Sequence, residues 1–331
     1  MIETNSRISP LVEASVSGQQ HYAGVSFPLV CVASPALSNI EQCLALIRTQ
    51  KQDLLLQLAR HGAILFRGLP LITDLHFDAF IEAFDLPGFT YEESLSNAVR
   101  RNRTARVFTA NEAPPSVAIY LHHEMAQTPL FPSSLFFFCE QAAQSGGATP
   151  LCRSDVLLDA LQTQLPDFVR DCETRGVRYA NTMPGAEDLQ SGQGRSWRNT
   201  HNAADRATAE ARLAKLGYEW QWLEGDSLRV VTPVLPAIRQ LADGRRVFFN
   251  QLIAAFRGWQ DRRNEAGKSI RFGDGSPIPV EVMARVIELG DSLTFDLQWQ
   301  TGDVALVDNF LVMHGRRPYQ GERRVLAALV A

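Results

Sequence analysis

The chain has 331 residues, of which 45% are hydrophobic and 21% charged, a composition typical of a soluble globular protein with one large or two ordinary domains. The net charge of −4 comes without a long basic run, so a phosphate-neutralising surface for nucleic acid is not indicated. No segment has the roughly 18 apolar residues of a membrane span, and no apolar stretch follows Met1, so we expect a cytoplasmic protein with no membrane partner.

In the first third of the chain, the sequence pattern predicts an N-terminal arm, two helices and a buried strand. Residues 1–40 are mixed in character and indicate an N-terminal arm or edge strand. Apolar residues at helical spacing predict a helix over residues 40–60, with Gly62 as its stop. Residues 63–68 read as a short buried strand, and a second helix is predicted over residues 74–84.

The middle of the chain predicts interior strands followed by a long helix. Residues 106–109 are strand-like, and the aromatic run within residues 132–139 is typical of an interior strand. After a glycine turn, Leu151 restarts a strand, and Ser154 is predicted to cap an amphipathic helix through Asp171.

The remaining residues indicate an inserted segment and then a return to strands. Residues 155–245 are predicted to be a helical and loop insertion within one domain that spans residues 1–331, with a helix near residues 205–216. Later elements are predicted at residues 246–251 (strand), 279–288 (helix), 292–297, 303–307 and 323–330 (strands). Many short strands predict a mainly β fold, a sandwich or closed architecture with flanking helices.

The cysteines do not form a recognisable framework. They are odd in number, scattered and without CxxC spacing, which favours reduced, buried thiols over disulfides. The five are Cys31, Cys43, Cys139, Cys152 and Cys172.

A histidine and a glutamate two residues apart are the clearest chemical signal. On an extended segment His122 and Glu124 point to the same side while His123 faces away. A third ligand must come from elsewhere, and His314, which follows a strand-like run, is the candidate. Two histidines and one carboxylate on one face of a metal leave open positions, an arrangement that suits non-haem iron(II) oxygenases.

An arginine pair near the C-terminus adds to this signal. Arg323 and Arg324 open the last predicted strand, and a strand directs only one of two neighbours to the interior. A guanidinium aimed into an apolar interior needs a bidentate anion, such as a carboxylate.

Taken together, these motifs resemble the TauD/TfdA group of iron(II)/2-oxoglutarate dioxygenases, and within it the SyrP-like branch, which hydroxylates amino acids, free or tethered to carrier proteins. The similarity begins near residue 60 and runs to the end of the chain. It is carried by residues 62–68, 121–125, 146–150, 247–251, 273–279, 299–303, 308–316 and 323–326. The resemblance implies a double-stranded β-helix, or jelly roll.

The resemblance also implies roles for individual residues. His122, Glu124 and His314 would hold Fe(II), Arg323 or alternatively Arg324 would bind the distal carboxylate of 2-oxoglutarate, and Thr149 would also contact this co-substrate. With O2 the expected reaction is hydroxylation of an amino-acid-like substrate, free or bound to an acyl or peptidyl carrier protein, with desaturation or cyclisation as alternatives. Expected substrate contacts are Asn111, Asn250, Arg316 and Trp197.

Two other classes of protein are alternatives to the dioxygenase hypothesis. A zinc hydrolase could use the same triad, although the helical HExxH spacing is absent and Arg323 would have no task. A non-catalytic jelly-roll binding module is the other rival. The arginines Arg100, Arg101, Arg103 and Arg106 are interpreted as a solvated loop face, or else as a site for an acidic carrier or a substrate carboxylate.

Overall fold

The computed structural model describes residues 10–89, 95–96, 98–191, 194–259, 261–265 and 267–331. The α-helices in this part of the chain are α1 (Ile40–His61), α2 (Asp74–Ala83), α3 (Ser154–Gln164), α4 (Pro166–Arg175), α5 (Trp197–Thr200), α6 (Arg206–Lys215), α7 (Leu252–Gly258) and α8 (Val280–Ser292). None of the helices so described is both long enough and apolar enough to cross a bilayer.

The strands are short and number twenty-two over the same residues. They are β1 (Leu11–Ala14), β2 (Gln20–Tyr22), β3 (Val25–Phe27), β4 (Leu29–Ala33), β5 (Ala63–Arg67), β6 (Gly88–Phe89), β7 (Phe108–Thr109), β8 (Ile119–His122), β9 (Ser134–Gln141), β10 (Ser145–Gly146), β11 (Thr149–Arg153), β12 (Val177–Met183), β13 (Glu219–Leu223), β14 (Ser227–Val231), β15 (Arg239–Gln240), β16 (Arg246–Val247), β17 (Ile270–Phe272), β18 (Thr294–Leu297), β19 (Val304–Asp308), β20 (Val312–Arg316), β21 (Tyr319–Gln320) and β22 (Arg324–Val330).

Two sheets face each other and form the core. The larger sheet has the order β1-β4-β5-β19-β9-β22-β6, with β7 also paired to β22, and the smaller has the order β18-β11-β20-β8. Neighbouring strands are antiparallel except β4 and β5. Apolar side chains from both sheets, such as Phe137 and Leu151, share one buried cluster. The predicted mainly β core with helices outside it is confirmed.

Strand alternation explains how the larger sheet packs on both faces. In β9, Phe137 points between the sheets, whereas Phe136 and Phe138 point to the outer side. There they meet α1 and α2, and Phe138 stacks on Phe77 with ring centroids 5.3 Å apart. Each such buried phenylalanine contributes roughly 2 kcal/mol of transfer free energy, so both faces of the sheet must be covered.

The smaller sheet is covered in the same way. In β20, Val312 packs between the sheets and Met313 packs outward against the cluster that contains α3 and α8. The next residue in the alternation, His314, returns to the interior and is buried. The period of two thus sets which residues of β20 can reach a site between the sheets.

Several predicted elements are confirmed, and two predictions about the helix after β11 are wrong. The helix over residues 40–60 is α1, which ends at Gly62 with a φ of +80° as a left-handed cap. The single helix predicted through Asp171 is two helices, because Pro166 lacks an N–H and disfavours helical geometry at Leu165. Ser154 does not cap α3; its hydroxyl donates to the Leu311 carbonyl at 3.0 Å.

The predicted strand at residues 246–251 is shorter than expected. β16 contains only Arg246 and Val247, and α7 begins at Leu252. The segment from residue 154 to residue 293, between β11 and β18, builds its own sheet in the order β13-β14-β12-β17. Since β17 lies at residues 270–272, the inserted segment continues well past the predicted limit of residue 245.

The N-terminal residues and the cysteines follow the expectations. β1 is the edge strand of the larger sheet, paired with β4, while residues 1–9 of the predicted arm lie outside the described residues. All five cysteines are buried and free, as predicted. Burial raises the pKa of Cys43 to about 11, so its thiol stays protonated near neutral pH.

The turn between β19 and β20 carries a buried carboxylate. Asp308 accepts the backbone N–H groups of Phe310 at 2.8 Å and Leu311 at 3.2 Å. Burial raises the pKa of Asp308 to about 6 despite these bonds. Asp308 is therefore still mostly ionised at neutral pH, but its ionised form is less stable in the folded protein than in an exposed aspartate.

We predict that Asp308→Asn stabilises the protein more at pH 8 than at pH 5. The folded-state pKa of Asp308 is about 6, above the value of about 3.9 for an exposed aspartate. Ionisation of the buried group therefore lowers the stability of the folded protein. This loss of stability is absent below about pH 3.9 and complete above about pH 6. An amide keeps the acceptor and has no charge. Thermal unfolding should show a gain over wild type that is about 2–4 °C larger at pH 8; an equal gain at both pH values would contradict the prediction.

Candidate metal centre

Two histidines meet across neighbouring strands of the smaller sheet. His122 is the last residue of β8, and the strand register places it opposite His314 in β20. Their ring centroids lie 4.4 Å apart. The backbone hydrogen bonds of the sheet therefore bring together two side chains that are 192 positions apart in the chain.

The glutamate follows in a turn rather than in the strand. Glu124 lies after the end of β8, and Met125 next to it has a φ of +60°, a strained value for a residue that has a Cβ atom. His123 faces away, as predicted, with its Nδ1 against the Asn309 carbonyl oxygen and its ring packed on Phe249. The predicted convergence is correct, although a turn achieves it and not an extended segment.

Asn309 holds the backbone of this turn in place. Its Oδ1 accepts the Glu124 N–H at 2.7 Å, and its Nδ2 donates to the Glu124 carbonyl at 3.0 Å. The same Nδ2 also donates to the Pro132 carbonyl at 2.8 Å. Because Asn309 is itself fully buried, the position of Glu124 is fixed by a rigid neighbour.

The three side chains offer ligand atoms to one point. The ligand atoms of His122, Glu124 and His314 all lie within 4.8 Å of one another. Glu124 Oε2 is 3.6 Å from His314 Nε2 and 4.0 Å from His122 Nε2. An ion about 2.1 Å from each ligand atom keeps neighbouring ligands roughly 3 Å apart, so small side-chain movements suffice to bind one. The Nδ1 of His122 donates to the Tyr120 carbonyl at 2.8 Å and thereby leaves Nε2 for the metal.

The protonation states also suit a metal. Burial and the neighbouring His314 lower the pKa of His122 to about 4, so the imidazole is neutral near pH 7. Burial alone would raise the pKa of Glu124, but the Arg100 guanidinium and the two imidazoles hold it well below its usual range. A neutral imidazole and an ionised carboxylate are the forms that ligate divalent ions.

Arg100 is a residue of this site that the sequence did not reveal. Its Nη2 lies 3.1 Å from Oε1 and 3.0 Å from Oε2 of Glu124, and its side chain is only 8% exposed. The interpretation of Arg100 as part of a solvated loop face is therefore wrong. Nothing in the spacing of 24 residues between the two partners could have shown the contact, because it depends on how the loop before β7 folds back.

Its neighbours in the loop do pair at the surface. Arg103 contacts Asp74 and Glu140, and Arg106 contacts Asp78 and Glu82. Arg101 is exposed. These three arginines keep the predicted role of a solvated face, and ion pairs hold Arg103 and Arg106 to α2 and β9.

A cavity of about 100 Å³ opens beside the triad. Residues from the jelly roll and from the inserted segment share its wall. They include Ser96, Arg100, Asn111, His122, Glu124, Gln127, Phe137, Thr149, Gln251, Ala254, Trp259, His314, Arg316, Arg323 and Val325. The site therefore depends on both parts of the fold, since α7 and Trp259 belong to the insertion.

The structure distinguishes the two candidate arginines. Arg323 lines the cavity, and its Nε donates to the Gly147 carbonyl at 3.0 Å. The Arg324 side chain is 56% exposed and contacts Glu140 and Glu322 instead, so Arg324 does not reach the cavity. Burial and the nearby Arg316 lower the pKa of Arg323 to about 10, which leaves it charged at neutral pH.

Thr149 lies on the same wall of the cavity. It opens β11 and is buried, and the Trp299 indole donates to its hydroxyl oxygen at 2.9 Å. Trp299 belongs to a motif that the resemblance includes, yet its contact with Thr149 was not predicted. The indole orients the hydroxyl, so that its proton is available to a group in the cavity.

Two of the four predicted substrate contacts border the cavity. Asn111 lines it directly. Arg316 also lines it, but its guanidinium donates to the backbone carbonyls of Asn111, Ala113, Pro114 and Val117 at 2.8–3.1 Å. Arg316 therefore holds the loop that ends before β8, and its hydrogen-bonding capacity is largely used there.

The other two predicted contacts are wrong. Asn250 is fully buried away from the cavity, where its amide bonds the Ala237 carbonyl and the Leu252 N–H. Its neighbour Gln251 lines the cavity instead, because the chain turns into α7 at this point. Trp197 packs edge-on against Trp222 with centroids 4.9 Å apart and donates to the Asp226 carbonyl, inside the hydrophobic cluster of the insertion.

Comparison with known proteins decides the family. The model of the taurine catabolism dioxygenase TauD, TfdA family, matches residues 33–329. The chain belongs to the TauD/TfdA family. This TauD/TfdA enzyme is 38% identical over 326 residues to a clavaminate synthase-like protein of Arabidopsis thaliana, with 96% of the chain and 98% of the relative covered. It is 28% identical over 289 residues to the dapdiamide synthesis protein DdaC of Enterobacter agglomerans, covering 82% and 83%.

Solved structures confirm the jelly-roll fold of this TauD/TfdA enzyme. PvcB from Pseudomonas aeruginosa superposes with a TM-score of 0.56 at 13% identity and covers 98% of this chain and 94% of its own. The predicted family and fold are thus confirmed, and the chain is an Fe(II)/2-oxoglutarate-dependent oxygenase that uses O2. Family membership decides against the zinc hydrolase and against a module without activity.

We predict that removing one ligand of the triad abolishes tight metal binding. Glu124→Ala and His314→Ala should each weaken Mn(II) binding by roughly a hundredfold or more, since three donors converge on one point. Isothermal titration under anaerobic conditions measures the affinity. His21→Ala, at an exposed histidine of β2, is the matched control and should bind as wild type does. Unchanged affinity in His314→Ala would exclude the proposed ligand set.

We predict that the two neighbouring arginines differ sharply in 2-oxoglutarate binding. Arg323→Ala should weaken it by about 30-fold or more, because truncation leaves a buried carboxylate unpaired. Arg324→Ala removes an exposed charge and should stay within about twofold. Titration of the Mn(II)-loaded protein with 2-oxoglutarate tests this. Equal losses in both variants would show that the cavity cation is not the co-substrate anchor.

Proposed function

We propose that the enzyme hydroxylates an unactivated C–H bond of a small, amino-acid-like substrate. The observation that carries the proposal is one cavity that joins the His122, Glu124 and His314 triad to the Arg323 guanidinium and the Thr149 hydroxyl. A dicarboxylic co-substrate needs a metal at one end and a cation at the other. The candidate ligands of that metal and the Arg323 guanidinium line the same cavity.

The residues divide the work by position. When bound, Fe(II) and 2-oxoglutarate supply the oxidising chemistry with O2. His122, Glu124 and His314 would hold the ion and leave its remaining positions for the co-substrate and O2. Arg323 orients the distal carboxylate of the co-substrate, and apolar side chains such as Phe137 and Val325 keep water away from the reacting atoms.

The charges of the cavity favour a substrate that carries a carboxylate. Among the described lining residues, Arg100, Arg316 and Arg323 stand against a single acidic group, Glu124. The two positive charges of Fe(II) and the two negative charges of 2-oxoglutarate cancel, so an excess of positive charge remains. Neutral groups that can bond an amide or amine are also present, namely Asn111, Gln127 and Gln251.

The curated relatives are compatible with such a substrate. The 28% identical protein DdaC is named for dapdiamide synthesis, and the 38% identical one is named clavaminate synthase-like. These names support the proposal that this enzyme acts in the biosynthesis of a specialised metabolite. Retention of Glu124 favours hydroxylation over halogenation, because a halide needs the position that the carboxylate fills. Desaturation or cyclisation by the same machinery is the second candidate reaction.

We predict that a screen for coupled succinate release will find a carboxylate-bearing amino acid or acylated amino acid, free or attached to a carrier protein. Turnover should exceed the substrate-free background by about tenfold or more, because productive binding aligns the reacting C–H bond. Mass spectrometry separates the outcomes: one added oxygen for hydroxylation, two lost hydrogens for desaturation or cyclisation. The His314→Ala variant is the control. A protein that binds Mn(II) and 2-oxoglutarate but responds to no amino-acid-like compound would contradict this substrate class.

A further inference from the structure

The ion pair of Arg100 with Glu124 involves the same oxygen that faces the two imidazoles. Glu124 Oε2 is 3.0 Å from Arg100 Nη2, 3.6 Å from His314 Nε2 and 4.0 Å from His122 Nε2. The guanidinium also bonds Oε1 at 3.1 Å, so it bridges both carboxylate oxygens. A metal ion at the triad and Arg100 would therefore act on one and the same ligand atom.

Burial makes this pairing strong. The side chains of Arg100 and Glu124 are only 8% and 4% exposed. An ionised carboxylate at such a depth is stable only beside a compensating charge, and removal of its partner leaves it uncompensated. Arg100 supplies that charge, and its guanidinium also lies 5.2 Å from the centroid of the Phe108 ring.

Orientation of Glu124 does not require Arg100. Asn309 already fixes the glutamate backbone through its contacts with the N–H and the carbonyl, at 2.7 and 3.0 Å. The strand pairing of β8 with β20 fixes His122 and His314 independently. Loss of Arg100 therefore removes a competing cation, while the supports that aim the carboxylate at the imidazoles remain.

We propose that Arg100 is the counter-ion of the metal-free centre and competes with the metal for Oε2 of Glu124. Its pairing stabilises the empty site and makes metal binding weaker than the three ligands alone would allow. On metal binding the guanidinium yields Oε2 and remains on the cavity wall. The inference rests on the metal site and does not depend on which substrate the enzyme oxidises.

The Arg100→Gln variant tests whether Arg100 competes with the metal for Glu124 or only supports the structure. Anaerobic calorimetry should show Mn(II) binding about tenfold tighter than wild type, the size of effect that groups beside metal ligands have on affinity. The melting temperature of the metal-free variant should fall, and the gain on adding Mn(II) should be larger than in wild type. Arg101→Gln, an exposed arginine beside it in sequence, is the matched control and should change neither quantity.

A conservative variant keeps the test decisive if glutamine prevents folding. Arg100→Lys retains the charge but not the two-oxygen geometry, and should bind Mn(II) a few times more tightly than wild type. Unchanged or weaker Mn(II) binding in the folded variants would overturn the proposal. So would melting temperatures that fall equally with and without Mn(II), since a purely structural residue lowers both alike.

Discussion

The pairing of β8 with β20 is the constraint on which the site depends. It places His314 opposite His122, and the alternation of each strand directs both imidazoles to the space between the sheets. A shift of one residue in this register would turn His314 toward the outer helices and Met313 toward the cavity. The apolar contacts of Met313 and Val312 on opposite faces oppose that shift, so core packing secures the geometry of the metal centre.

The carboxylate of the triad is held by a different kind of interaction. Glu124 lies beyond the last residue of β8, where no strand bond fixes it, and Asn309 takes over this task with its side-chain amide. Asn309 itself follows β19 and precedes β20, so a single turn positions both the carboxylate and the strand of His314. Asp308 lies in the same turn, and its buried carboxylate accepts the backbone N–H groups of Phe310 and Leu311. These hydrogen bonds stabilise the turn that positions the site.

Sequence patterns predicted the site residues correctly where the period of a strand determines which way a side chain points. They located His122 and His314, and limited the predicted co-substrate cation to Arg323 or its neighbour. Glu124 also reaches the site, but a turn directs it there and not the alternation of a strand. The patterns failed where the chain leaves regular structure: at Asn250, one residue before the turn into α7, and at Pro166, which breaks a helix that looked continuous. The role of Arg100 could not be predicted from the sequence, because the tertiary folding of an irregular segment brings it to Glu124.

Three guanidinium groups border one small cavity, and their surroundings give them different tasks. Arg316 is bound to four backbone carbonyls and serves the loop before β8. Arg323 donates one N–H to Gly147 and directs the rest of its group to the cavity, whereas Arg100 faces the carboxylate of the triad. A carbonyl neutralises no charge, so the positive field of Arg316 and Arg323 persists in the cavity, whereas Glu124 compensates the charge of Arg100. That field favours anionic ligands, and it opposes a divalent cation unless Glu124 is ionised, which is the state that Arg100 and the two imidazoles favour.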